Sequence, residues 1–386
     1  MQRRSPTTPV AGVEASGIKP PPFSTSPETN LSLQTFRSSI TFKMKYSQED
    51  FQREQKAGMP PVAKADLTGK TVIITGANVG IGFEATKHLA NMNPGKLVLV
   101  CRNATKGEEA AAVIKKETNF DRVEAWTMDQ GDFSSISAFA SRVEKDLDRV
   151  DILVANAGVA DPKYSTTGDG WEQHLQVNHL GPTLLALLLL PKMMETAKKH
   201  NTIPRFVSVA SDNHHWIDIE KQVIEAPNSM ELASSKEYCS PSVMAGRYPA
   251  SKLINLLAMR ALDSRLPQTP PPVLFVTVSP GFCHSSLRRN LEPGPLLERM
   301  EKMLAIAFTT EEGSRQLVFG AVADEEENKL RASKAFIMKS KLQEPSDWVL
   351  SEDGKRAEEK IWNDTVEILG KVDNRVQKVV SEYLSA

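Results

Sequence analysis

The chain has 386 residues, 40% of them hydrophobic, which is enough apolar surface for a substantial core in one large domain or two ordinary ones. Lys and Arg (47) nearly balance Asp and Glu (48), leaving a formal net charge of -1 and no electrostatic reason to expect nucleic acid or an anionic membrane as partner. Cys101, Cys239 and Cys283 are odd in number and far apart, so they form neither a disulfide framework nor a metal-ligand set, and they point to a reducing, cytoplasmic setting.

Residues 1–65 cluster prolines ("KPPPF", "MPPVA") with Ser and Thr and sustain no apolar periodicity. Such a stretch cannot bury enough surface to offset its ordering entropy, so a disordered extension is expected, with a short helix at Asp50–Lys56. The Arg and Ser of "MQRR" and "FRSS" suggest mitochondrial targeting, but Glu14 and Glu28 count against it, and Met44 is an alternative start.

From Asp66 the pattern alternates. Apolar runs without period-2 alternation, as strands covered on both faces show, occur at 71–75, 97–101, 123–128, 152–155, 206–209 and 273–278. Helical patterns lie between and after them, at 81–92, 105–116, 133–147, 170–199, 248–266 and 311–323. This alternation implies right-handed crossovers and one doubly wound parallel sheet of Rossmann type, flanked by helices, over residues 66–349. The tail 350–386 carries two further helical patterns, too short for a domain, and should pack on the main one. The longest apolar run, "LLALLLL" at Leu184–Leu190, is far below the roughly 20 residues a membrane span needs.

"TGANVGIG" at Thr75–Gly82 sits at the first strand-to-helix turn. There Gly76 and Gly80 allow a tight turn close to a pyrophosphate, and Gly82 lets the helix lie against its strand. A glycine-rich turn without a ligand is the alternative. After the second strand, "VLVCRNATKGEE" has no acidic residue between Leu97 and Lys106, the place where an NAD site holds the ribose 2′-hydroxyl. It offers Arg102 and Lys106 instead. A guanidinium suits a 2′-phosphate, so NADP(H) is favoured, unless Arg102 is only a solvated loop charge. "YPASK" puts Tyr248 and Lys252 four apart on one helix face. A phenol that ordinarily titrates near ~10 needs a nearby cation to transfer protons at neutral pH.

With these residues the chain, over about 66–323, resembles the short-chain dehydrogenase/reductase family. "TGANVGIG" resembles its cofactor loop, in which Asn78 and Ile81 join the three glycines. "NAG" at Asn156–Gly158 is similar to its motif after the fourth strand, Asn156 being the residue most readily explained as a structural brace. "LQVNHLG" supplies the tetrad asparagine, Asn178, and "RFVSVAS" ends in the substrate-orienting serine, Ser211. "MDQGDF" places Asp129 at the adenine, and "SPGF" with Ser285 places Pro280 and Gly281 beside the nicotinamide. The resemblance implies that Tyr248 is the general acid and base. Lys252 would hold the nicotinamide ribose and lower the phenol's pKa, Ser211 would orient the carbonyl, and Asn178 would support a proton relay.

Thirty-six residues separate Ser211 from Tyr248, and this insert should lie above the cleft. His214, His215 and Trp216 would line that cleft or belong to a surface loop. His174 and His179 read as packing residues. Residues 284–308 should form a lid, with Leu287, Leu291, Leu296, Leu297, Met300 and Met303 as its apolar lining. The expected substrate is therefore a bulky, lipophilic ketone or secondary alcohol, steroid-like or retinoid-like among others. The closing segment from Ala335 resembles fungal short-chain reductases, many of them in secondary metabolism. "LLALLLL" is either a buried helix face or the helix through which many members form homodimers. A catalytically silent NADP-sensing protein and an epimerase of the extended relatives are the competing readings.

Overall fold

Strand runs, most of them buried on both faces, build an eight-stranded sheet in the order β3-β2-β1-β4-β5-β6-β7-β8, in which β3 and β8 keep exposed residues. The structure, a computed structural model, describes residues 46–267, 272–289, 294–323 and 336–384. The strands are β1 (Thr71–Thr75), β2 (Lys96–Cys101), β3 (Val123–Thr127), β4 (Ile152–Ala155), β5 (Arg205–Val209), β6 (Leu274–Ser279), β7 (Phe336–Met338) and β8 (Lys341–Gln343). All pair in parallel except β7 with β8. Every residue of β1, β4, β5 and β6 is buried, which is why these strands read as unbroken apolar runs.

The helices are α1 (Gln48–Lys56), α2 (Gly80–Ala90), α3 (Ala104–Thr118), α4 (Phe133–Asp146), α5 (Gly181–His200), α6 (Arg247–Arg265), α7 (Pro295–Leu304), α8 (Thr310–Val322), α9 (Glu352–Val372) and α10 (Arg375–Tyr383). On α2 the predicted stripe holds, with Ala85 and Leu89 fully buried and Ile81 packed beside them. The run Gln173–His200 is long and apolar enough to cross a bilayer by composition alone, yet most of it is buried inside the domain, as in a core helix. Leu184–Leu190 are covered by α4 and α10, so the buried-face reading of "LLALLLL" is the one observed. In the tail, α9 packs against α6 through Arg260–Glu358 (3.0 Å) and α10 against α5.

Two features depart from expectation. The extension assigned to residues 1–65 is ordered from residue 46, while residues 1–45 lie outside the described residues. A Ser47–Asp50 capping box starts α1, and Phe51 and Gln55, one turn apart, are both buried. The hairpin β7–β8 was also unforeseen. Its turn residues Lys339 and Ser340 both have positive φ (57° and 52°), a backbone that usually announces itself through Asn-Gly.

Candidate active site

The glycine turn is shaped by its neighbours. Gly80 has φ +66°, a conformation that L side chains rarely adopt, with open space around it. At Gly82 a Cβ would lie 2.4 Å from Asn156 Nδ2 and 2.5 Å from the Gly76 carbonyl, so α2 approaches as closely as a bare backbone allows. Asn156 is that brace, donating from Nδ2 to the carbonyls of Thr75 (3.0 Å) and Gly76 (3.1 Å). No side chain caps α2 at Val79, which leaves its first N–H groups without a side-chain partner. Asn78 and Ile81 are half-buried at the same turn, and Arg102 stands exposed just past β2. The uncapped helix end and the space that side chains would fill together fit the phosphates of a dinucleotide. Asp129 is half-buried after β3, its Oδ1 accepting from Gly131 N at 2.9 Å.

Across β4 and β5 the catalytic candidates converge. Ser211 follows β5 and caps a 3₁₀ turn, Asp212–Trp216, and its hydroxyl is near enough to the Tyr248 phenol to draw the phenol's pKa down. Lys252 is buried one turn along α6, donating from Nζ to the Val209 carbonyl at 2.7 Å and standing 6.0 Å from the centre of the Tyr248 ring. Asn178 lies in a π-helical turn, Gln176–Leu180, that leads into α5; such turns often mark functional sites. Its Oδ1 accepts from Val159 N (2.9 Å), and its Nδ2 donates to Val159 O and Ser251 Oγ (both 2.9 Å). A Cβ on Gly158 would stand 3.1 Å from Asn178 Oδ1 and 3.5 Å from Lys252 Nζ, so the "NAG" glycine leaves room where these two meet.

The electrostatics correct one expectation. Burial pushes the Tyr248 phenol above its ordinary range, the Asp212 carboxylate adds to this, and Arg288 and the Ser211 hydroxyl pull the other way. Lys252 does not supply the depression assigned to it, because its ammonium turns to the Val209 carbonyl and is itself brought down to about 8 by burial. The sequence reading missed both other charges. Burial pushes the Asp212 carboxyl up to about 6, and Ser211 Oγ donates to its Oδ1 at 3.2 Å. The signal was an acid directly after the serine that follows a buried strand. Arg288 sits half-buried with its guanidinium 4.5 Å from the Phe282 ring and donates to Cys283 O.

Pro280 and Gly281 (φ +71°) follow β6 as expected, whereas Ser285 caps a 3₁₀ turn, Ser286–Arg288, by accepting from Leu287 N. The ends of the segment expected to form a lid are joined by a parallel backbone bridge between Cys283 and Phe308. Leu287, Leu297, Met300 and Met303 are half-buried; Leu291 and the side chain of Leu296 lie outside the described residues. The insert after Ser211 is less free than expected. His214 is buried with Nδ1 on Ser211 O (2.7 Å), so it braces the serine's backbone rather than lining the cleft. His215 and Trp216 pack on Tyr46. Arg247, next to Tyr248, is buried against Glu172 (Nε–Oε2 2.8 Å). Burial opposes ionisation of Glu172, but His174's hydrogen bond and the Arg247 charge outweigh it and hold the carboxyl at about 2. His174 and His179 are packing residues, as read.

The model of the family described as short chain dehydrogenase matches residues 70–216. Short chain dehydrogenase/reductase dmxR8 of Cryptosporiopsis sp. (strain 8999) is 33% identical over 312 residues, 80% of this chain and 93% of that relative. Retinol dehydrogenase 12 of Mus musculus is 34% identical over 316 residues, 81% and 90% of the two chains. Among solved structures, an uncharacterized protein from Mycobacterium Paratuberculosis aligns with TM-score 0.57 at 26% identity, over 80% of this chain and 98% of its own. Salutaridine reductase from Papaver somniferum shares the fold with TM-score 0.50 at 22% identity, over 66% and 95%. Identity of a third sustained over nine-tenths of a relative's length reflects common descent, and the chain belongs to the short-chain dehydrogenase/reductase family of oxidoreductases.

Proposed function

We propose that the chain interconverts a ketone and a secondary alcohol on a bulky, lipophilic small molecule, using NADP(H). The observation that carries this reading is that Lys252, bonded to the Val209 carbonyl two residues before Ser211, meets Asn178 at Gly158, two residues from the Asn156 that braces the glycine turn. Gly76, Asn78, Gly80, Ile81 and Gly82 would hold the pyrophosphate, Arg102 the 2′-phosphate, Asp129 the adenine, and Pro280, Gly281 and Ser285 the nicotinamide end. Asn156 acts behind the turn. Bound there, the cofactor supplies or accepts hydride at the substrate carbon.

The chain's own work is proton handling. The Ser211 and Tyr248 hydroxyls hydrogen-bond the carbonyl oxygen, and Tyr248 gives its proton to that oxygen as negative charge develops. In the oxidative direction the phenolate takes the proton back. The cationic charge of Arg288 favours the phenolate that donation leaves. Lys252 would hold the nicotinamide ribose, and Asn178, in its π turn, supports proton return. The apolar residues of the lid and the likeness to a retinol dehydrogenase support a lipophilic substrate. The likeness to fungal short-chain dehydrogenases supports a place in secondary metabolism.

Incubation with NADPH and a panel of lipophilic ketones, followed at the reduced nicotinamide, tests this. Tyr248→Phe should lose about 10²–10⁴-fold in turnover with little change in NADPH affinity. Equal rates for the two proteins would remove Tyr248 as the acid. Binding without turnover in either would favour a silent nucleotide sensor.

A further inference from the structure

The segment before the sheet makes contacts that packing alone does not require. Gln55 is buried on α1, yet its amide engages the main chain of the loop after β6. Nε2 donates to the Phe282 carbonyl at 2.9 Å and to the Ile306 carbonyl at 3.1 Å, and Oε1 accepts from Phe282 N at 3.2 Å. One side chain thus pairs with both backbone groups of Phe282, as a neighbouring strand would, and ties that loop to the end of the lid. A Cβ on Gly281 would fall 2.9 Å from Gln55 Oε1 and 2.8 Å from Phe308, so the fit leaves no slack.

One turn earlier on the same face, α1 grips the serine loop. Phe51 meets Trp216 edge-on at 5.5 Å, and Tyr46 stacks on Trp216 at 5.9 Å. Trp216 Nε1 donates to the Tyr46 carbonyl at 3.3 Å. Beyond the helix, Lys339 donates to the carbonyls of Glu54 (2.7 Å) and Gly58, and Arg315 donates to those of Met59 (3.3 Å) and Pro60 (3.1 Å). The helix therefore bridges the loop carrying Ser211, which orients the carbonyl, and the loop carrying Pro280 and Gly281, which flanks the nicotinamide. An apolar side chain at position 55 would fill the same space beside Met59 and Phe308 without needing three polar partners.

We propose that α1 is a working part of the catalytic site, and that Gln55 is a positioning residue that fixes the Pro280–Cys283 loop against the nicotinamide half of the cofactor. The proposal rests on the cofactor reading above and is tested on binding, independently of any substrate. In the full chain, NADPH affinity is measured by fluorescence for the wild type, Gln55→Leu and Gln55→Glu. Affinity for 2′,5′-ADP, which lacks the nicotinamide half, is measured by competition. Both variants should weaken NADPH about tenfold while 2′,5′-ADP stays within about twofold. Gln55→Glu keeps the size and the acceptor for Phe282 N, so it reports the two lost donors even where Gln55→Leu fails to fold. Unchanged NADPH affinity, or parallel loss of both ligands, would show that α1 only stabilises the fold and would overturn the proposal. A wild type that binds neither ligand fails the NADP reading instead, and NADH against ADP then tests α1 by the same ratio.

Discussion

On the β1–β4 side of the sheet's carboxyl edge, the backbone that faces the ligand is shaped by immediate neighbours. Gly82 is pressed on Asn156, and Asn156 is bonded to Thr75 and Gly76. On the β5–β7 side, the corresponding loops are held by side chains from segments outside the sheet and its own strand-end turns: Gln55 on Phe282, Tyr46 and Phe51 on Trp216, and Glu172 on Arg247. A substitution on the first side should change what is bound. One on the second should change how the chain holds itself around the reacting atoms, often without touching them.

The largest expected effect lies on the second side. Arg247→Leu leaves the Glu172 carboxylate buried with only His174 and backbone N–H groups as partners. Removing one member of a buried pair costs about 3–5 kcal/mol, so urea unfolding should show a loss of that order. Turnover should fall more than cofactor affinity, because Arg247 begins the helix that presents Tyr248. A loss below about 1 kcal/mol, the range of exposed pairs, would mean that the insert does not depend on this anchor.

The first side predicts the opposite pattern. Arg102 is exposed, so Arg102→Asp should leave stability within about 0.5 kcal/mol. It should nonetheless weaken NADPH by about ten- to a hundredfold relative to NADH, since a carboxylate repels a 2′-phosphate that a guanidinium pairs with. Binding constants for the two cofactors decide it. Unchanged discrimination would remove Arg102 from the 2′-phosphate.

This contrast also explains what the sequence disclosed. The turn at 75–82 was legible because its constraints fall on single positions: a positive φ and a close approach each demand glycine, and glycine is visible in one letter. The strands β1, β4, β5 and β6 were legible because burial on both faces leaves unbroken apolar runs, and Tyr248 and Lys252 because a helix turn fixes their spacing. Gln55 was not. Nothing in "FQREQK" marks a glutamine whose partners lie 227 and 251 residues away. β7 and β8 escaped because three residues are too few to show a period, and their Lys-Ser turn lacks the usual glycine. Arg288 and Asp212 were passed over because charge and burial pull in opposite directions, and only packing tells which prevails.

Asp212 allows the smallest but sharpest test of the second side. Its charge adds to the burial that raises the Tyr248 phenol, so Asp212→Asn should lower that pKa. Carbonyl reduction needs the protonated phenol, and the alkaline fall of kcat/KM should therefore begin at lower pH in the variant, by about one unit. The same substitution has a separate signature in stability. Folding raises this carboxyl from 3.8 to about 6, so the folded chain binds the proton more tightly and wild-type stability falls as pH rises through that window. The variant has no such proton to lose, and its stability should be flatter between those values. A pH–rate limb that stays in place while the stability curve flattens would leave Asp212 buried beside the site but uncoupled from the phenol; movement of both would tie the serine loop's carboxylate to proton transfer.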